Sequence, residues 1–183
     1  IQMKQDLREE LEIPQGITVT VQDGLFTVKG LKGELKRSMK SPTLTFSVVG
    51  KNIILESKKA TQREKRMIKS YIAHLKYMMK GVEKTHVYKL KVCASHFPMT
   101  VTVKGAVLEI KNFIGENCPR TLEIPKGVSI KIDGQIIVVE SIDKELAGQA
   151  AARIELRTRR PGFDKRIFQD GIYMIEKDGK PIK

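Results

Sequence analysis

Gly50-Lys51-Asn52-Ile53-Ile54-Leu55-Glu56-Ser57 and Gly134-Gln135-Ile136-Ile137-Val138-Val139-Glu140-Ser141 read alike, position for position. Each opens on a glycine turn, runs through aliphatic residues, closes on Glu-Ser and then enters a helical pattern. An earlier pair stands in the same order: Ile17-Thr18-Val19-Thr20-Val21 and Met99-Thr100-Val101-Thr102-Val103. Single echoes between strand-forming stretches are common, because Val, Ile and Thr dominate strands. Two echoes in the same order at a spacing of roughly 84 residues, followed in each half by a helix, argue instead for a tandem duplication.

Working outward, residues 17–22 and 25–29 flank Asp23-Gly24, a hairpin signal because glycine supplies the positive φ of such turns. Strands are expected near 34–39, 43–49 and 53–56. A helix is expected from Thr61 to Lys80. Thr61 and Glu64 fit a capping box, and Met67, Ile68, Tyr71, Ile72, Leu75, Met78 and Met79 recur at helical spacing on one face. Gly81 supplies the stop. The second half repeats the plan, with strands at 85–93, 99–104, 106–111, 120–124, 128–132 and 135–140. A helix over 144–156 is expected to bury Leu146, Ala150 and Ile154 and to end before Pro161 and Gly162. Several strands followed by one helix, twice over, give an α+β class with two similar domains. The expected division is an N-terminal extension over 1–10, a first repeat over 11–84, a second over 85–176 and a frayed tail over 177–183.

The chain has 183 residues, of which 34 are Lys or Arg and 21 Asp or Glu, for a formal charge of +13. Such an excess points to a polyanionic partner, nucleic acid before an anionic membrane surface. No apolar run approaches the roughly 20 residues of a membrane span, and the opening stretch lacks the apolar core of a signal peptide. Cys93 and Cys118 are too few for a secreted disulfide framework and read as reduced residues of a cytoplasmic protein. Basic residues concentrate over Lys58–Lys91 and Arg153–Arg166.

Motifs for chemistry are weak. Gly30-Leu31-Lys32-Gly33 matches the GXXG loop of KH modules, but that loop needs flanking helices and strands stand on both sides here, so a hairpin turn is expected. His86, Cys93, His96 and the distant Cys118 lack the paired spacing of a tetrahedral zinc site. His74 stands alone on the predicted helix, and a structural role suits all three histidines. Cys93 and His96 lack an orienting third group for nucleophilic chemistry. No Walker loop and no GxGxxG fingerprint occurs. The reading is therefore a protein with no cofactor, no metal and no small-molecule substrate, and not an enzyme. Aromatic residues make up 5% of the chain with no Trp, which favours a grip on folded RNA through its backbone over a row of stacking platforms.

Arg157–Lys177, RTRRPGFDKRIFQDGIYMIEK, is the sharpest functional segment. Arg157, Arg159, Arg160, Lys165 and Arg166 surround the stiff Pro161-Gly162 break, and planar, permanently charged guanidiniums suit phosphate oxygens. With Arg153 and Lys177 they form the candidate RNA-binding set, supported by Pro161, Gly162, Gly171 and Tyr173. The spacing from Gln149 through Ile154 to Lys165-Arg166-Ile167-Phe168-Gln169-Asp170-Gly171-Ile172-Tyr173 resembles the C-terminal signature of the ribosomal protein L-six family. The likeness is to the archaeal and eukaryotic type, called L-nine in eukaryotes. The Tyr-Lys-Gly-Lys-Gly run of the bacterial form is absent, and the likeness extends from Ile13-Pro14 to Tyr173.

That resemblance implies two similar domains, each with β-sheets around one helix. It implies a structural constituent of the large ribosomal subunit that binds large-subunit ribosomal RNA near the sarcin–ricin loop and stalk base. There it would sit beside other ribosomal proteins, where translational GTPases dock, in the cytoplasm and away from membranes. Lys165 and Arg166 match basic positions of the signature, with the main RNA contact in the C-terminal domain. The alternatives are a non-ribosomal basic RNA-binding protein and an RNA-modifying enzyme.

Overall fold

The computed structural model describes residues 5–95, 97–164 and 166–182. The chain divides into two compact units, Ile1–Thr85 and His86–Lys183. No described helix is long and apolar enough to cross a membrane.

In the first unit, strands β1 (Gln5–Glu12), β2 (Thr18–Gln22), β3 (Leu25–Gly30), β4 (Gly33–Ser38), β5 (Thr45–Val49) and β6 (Asn52–Ala60) precede helix α1 (Gln62–Glu83). They form two antiparallel sheets, ordered β1-β6-β5 and β2-β3-β4. Ile53 and Leu55 of β6, Phe26 and Val28 of β3, and Ile68, Leu75 and Val82 of α1 are all but removed from solvent. Phe26 meets Phe46 edge-on with centroids 5.1 Å apart, and Phe46 leans on Tyr71 at 5.9 Å, so a chain of rings runs from one sheet through the other to the helix.

The second unit repeats this plan. Strands β7 (His86–Cys93), β8 (Thr100–Lys104), β9 (Val107–Lys111), β10 (Arg120–Glu123), β11 (Val128–Asp133) and β12 (Ile136–Ser141) lead to helix α2 (Lys144–Arg157). The meander is again three-stranded, β8-β9-β10. The other sheet runs β11-β12-β7, as β5-β6-β1 does, and is then extended past β7 by β13 (Gly171–Lys177) and β14 (Lys180–Pro181). The echoed octapeptides are β6 and β12 with the turns before them. Ile53 and Leu55 are fully buried in one copy, with Ile54 between them nearly so, and Ile137 and Val139 are fully buried in the other. Their last residues do the same work: Ser57 donates its hydroxyl to the Thr43 carbonyl at 3.1 Å, and Ser141 to the Gly127 carbonyl at 2.8 Å, each 14 residues upstream.

Several expectations are corrected. Within the expected extension over 1–10, residues 1–4 lie outside the described residues, and residues 5–10 belong to strand β1 (Gln5–Glu12), which pairs with β6 along its length. Its sequence, QDLREELE, hides the strand: β1 is an edge whose one buried side chain is Leu11, and its charges pair locally, Arg8 with Glu10 and with Glu56 across the ladder. Residues 177–182 are not frayed, and Lys183 lies outside the described residues. Lys180 and Pro181 pair back onto β13, and the Asp178 N–H donates to the Val87 carbonyl at 2.8 Å. Gly81 does not stop α1. It is buried inside the helix, which ends at Glu83, because packing of Met78, Met79 and Val82 outweighs the roughly 1 kcal/mol propensity cost of glycine. On α2 the buried residues are Ala147, Ala150, Ala151 and Ile154, while Leu146 is only partly covered. The helix closes at Arg157, ahead of Pro161, with Thr158 as its cap.

Gly30-Leu31-Lys32-Gly33 is the β3–β4 hairpin turn, with Gly30 facing Gly33 in register. A Cβ on Gly30 would stand 2.7 Å from Val82 Cγ2, and the Lys32 N–H donates to the Val82 carbonyl at 2.9 Å. The turn serves the end of α1 and presents no pair of helices for clamping a nucleic-acid backbone.

Candidate nucleic-acid interface

Helix α2 starts on Asp143, whose carboxylate accepts the Glu145 N–H at 2.8 Å. Its alanine-rich inner face lets it lie close on β7, β12 and β13. That leaves Arg153, Leu156 and Arg157 exposed. At its C-terminal end the Thr158 hydroxyl donates to the Glu155 carbonyl at 3.0 Å and accepts the Ile172 N–H at 2.9 Å. One buried side chain thus joins the helix end to the start of β13.

The chain between these points is a loop held at both ends. Asp170 accepts the Ser95 N–H at 2.6 Å and the Ser95 hydroxyl at 2.5 Å. Arg120 reaches the Arg157 carbonyl at 2.6 Å while forming two bonds with Glu116, at 2.8 and 2.6 Å, and lying 4.3 Å over the Phe113 ring. Gly162 takes φ +83°, a left-handed conformation that a side chain would strain.

Beneath this loop lies a cleft of about 310 Å³. Ile172 forms its buried floor. Leu156, Phe163, Phe168 and Tyr173 supply apolar walls, and Arg159 and Arg160 supply cations. Phe163 and Phe168 meet edge-to-face at 4.9 Å, and the Arg160 guanidinium sits 4.1 Å from the Phe163 ring centroid. The Tyr173 ring folds back over Gly171, where a Cβ would fall 3.2–3.3 Å from it.

Charge is distributed unevenly around the cleft. Arg120 holds the Glu116 carboxyl below its ordinary value, with Arg160 adding a smaller pull. Arg166 does the same to Asp164 through paired bonds at 2.7–3.2 Å, so its guanidinium already has an anionic partner. Burial raises the Tyr173 phenol, helped by the nearby Cys93, Asp170 and Glu155.

The structure therefore sorts the residues singled out by sequence. Arg159, Arg160 and Tyr173 meet at the cleft. Arg153 and Arg157 lie one turn apart on the exposed side of α2. Pro161 and Gly162 make the exposed turn, and Lys165 lies outside the described residues. Gly171 is the first residue of β13. Lys177 ends the same strand, about 20 Å further along at some 3.3 Å per residue, and does not join the cluster. Sequence reading missed Phe163 and Phe168 as a cleft lining, although their interleaving with arginines was visible. It missed Arg120 because its partners come together only in the fold. Among the described residues, no group of three or more His, Cys, Asp or Glu is placed to hold a metal.

The family model described as Ribosomal protein L6 matches the chain twice, over residues 13–85 and 97–171. The chain is 40% identical over 176 residues to the large ribosomal subunit protein uL6 of Methanococcus vannielii, covering 96% of this chain and 97% of the relative. It is 42% identical over 184 residues to the uL6 protein of Nanoarchaeum equitans, covering 96% of each. The protein of the same name from Methanosarcina mazei is 37% identical over 175 residues, covering 96% of this chain and 99% of the relative. The two family matches fall one on each of the two like-folded units, and three archaeal relatives align over nearly the whole length; the chain belongs to the ribosomal protein L6 family.

Proposed function

We propose that this chain is a non-catalytic constituent of the large ribosomal subunit that grips large-subunit, 23S-type ribosomal RNA through its second unit. Family membership supports the assembly. The observation that carries the binding mode is the position of Arg159 and Arg160, set on a loop anchored at Thr158 and Asp170 rather than on freely moving chain. Anchoring lowers the entropy lost when the guanidiniums engage phosphates. Arg153 and Arg157 extend the same basic surface along α2, while Lys165, Arg166 and Lys177 complete the proposed set. Pro161, Gly162, Gly171 and Tyr173 shape the loop.

The RNA sites proposed are the sarcin–ricin loop region and the stalk base, beside neighbouring ribosomal proteins. The protein would there brace the surface on which translational GTPases dock, on cytoplasmic ribosomes. Hydroxyl-radical footprinting of a large-subunit RNA transcript tests this. Protection at those two regions, lost in Arg159→Ala/Arg160→Ala, is the expected result. Protection confined to other regions would overturn the placement, and no protection would overturn RNA binding by the isolated chain.

A further inference from the structure

We propose that the cleft beside Arg159 and Arg160 receives one unstacked nucleobase of the bound RNA, with the adjoining phosphates held by the two guanidiniums. This rests on the RNA-binding reading above and adds a stacking contact to it. Few aromatics in the whole chain had argued against stacking. Yet of its six Phe and four Tyr, Phe163, Phe168 and Tyr173 are gathered in this one cleft.

Three features select the occupant. The walls are aromatic and part-exposed: Phe163 and Phe168 keep 39% and 46% of their surface open to solvent and meet edge-to-face, and with Arg160 over one face of Phe163 the remaining ring surface can take a flat partner. Base–aromatic stacking is the usual way proteins hold splayed-out bases of RNA loops and bulges. The cations Arg159 and Arg160 stand beside these rings, so a polyanion is complemented where its base would enter. Finally, Glu155 and Asp170 are among the residues that line the same cleft, Asp170 already holding Ser95 through one carboxylate oxygen. An aliphatic side chain from a neighbouring protein would offer such acidic groups no hydrogen-bond donor, at a desolvation cost. A base carries amino and imino donors on its edge and can meet them. The volume, about 310 Å³, is that of a small-molecule pocket rather than of a groove for a helix.

The test uses the full chain and a large-subunit RNA transcript, with affinity measured across a salt series. Phe163→Leu and Phe168→Leu keep apolar bulk but remove the ring. Each should weaken binding about thirtyfold, the middle of the range for losing one stacked base, with the salt slope unchanged. Phe168→Trp should restore binding to at least the wild-type level. Arg159→Ala/Arg160→Ala should weaken binding and flatten the slope. Leucine variants that bind as the wild type does would overturn the inference and leave the cleft to an apolar side chain of a neighbouring protein. A wild-type chain that does not bind the transcript would instead overturn the RNA-binding reading itself.

Discussion

The Thr158 hydroxyl accepts the buried Ile172 N–H at 2.9 Å, tying the C-terminal cap of α2 to the second ladder position of β13. Thr158→Val keeps the shape and removes the acceptor, leaving a buried amide unpaired, which costs about 1–3 kcal/mol. Thr158→Ser should retain most of that stability. Urea unfolding followed by circular dichroism checks both, and a Val variant as stable as the wild type would show that the amide finds another partner.

The paired serines give a symmetrical prediction. Ser57 and Ser141 each bind a carbonyl 14 residues upstream, closing the same β-connection in each unit. Ser57→Ala and Ser141→Ala should each cost about 1 kcal/mol, and each loss should appear in its own unit. Hydrogen exchange resolves the two: faster exchange in the other unit would contradict independent cores.

How much of this was legible in the sequence follows from which forces act locally. The capping box at Thr61 and Glu64 is made within one turn, and both halves of it form. The strands of the two meanders alternate and are punctuated by glycine turns, so their faces could be read directly. Strand β1 could not, because an edge needs only one buried leucine and tolerates charge elsewhere. Strand β13 was obscured because Gly171 and Ile172 are both buried, breaking the two-residue period, and because glycine there accommodates the Tyr173 ring rather than a turn. The arginine-rich segment announced its charge. That Arg166 is occupied by Asp164, and that Arg120 fastens the helix end, are long-range or rotameric facts that no spacing encodes.

Gly30 offers a test of tight packing in the first unit. Its missing side chain makes room for Val82, and Gly30→Ala would place a methyl 2.7 Å from Val82 Cγ2 and 3.0 Å from the Val82 carbonyl. Overpacking of this kind costs about 1–3 kcal/mol. The first unit should lose stability while RNA affinity under native conditions stays within error. A large loss of affinity with unchanged stability would instead point to an RNA contact at this loop.

Acid should loosen the loop before it unfolds the core. Glu116 titrates near its ordinary value of 4.5 in the unfolded chain, and the Arg120 bonds hold it lower in the folded one. A depressed carboxyl stabilises the fold fully above the unfolded value and ceases to do so as pH falls through the folded one. The pair is partly solvated, so the contribution is below about 1 kcal/mol. Glu116→Gln should therefore be less stable than the wild type at neutral pH, with the difference closing at acid pH. A difference that persists unchanged to low pH would exclude the ion pair as its cause.

The remaining prediction concerns which unit holds the RNA. Lysines on α1 are numerous, but they lie on a solvated helix face, whereas the arginines after α2 stand on an anchored loop beside an aromatic cleft. Guanidinium forks also satisfy phosphate oxygens in pairs, which an ammonium does not. Each unit buries its own set of apolar residues, so residues 1–84 and 85–183 can be expressed apart. The second fragment should keep most of the affinity for large-subunit RNA. Its log–log salt slope should fall by roughly 0.7–0.9 for each phosphate contact removed, so losing Arg159 and Arg160 together should flatten it by about 1.5. If the first fragment binds equally well, or the slope is indifferent to the two arginines, the grip lies elsewhere on the basic surface.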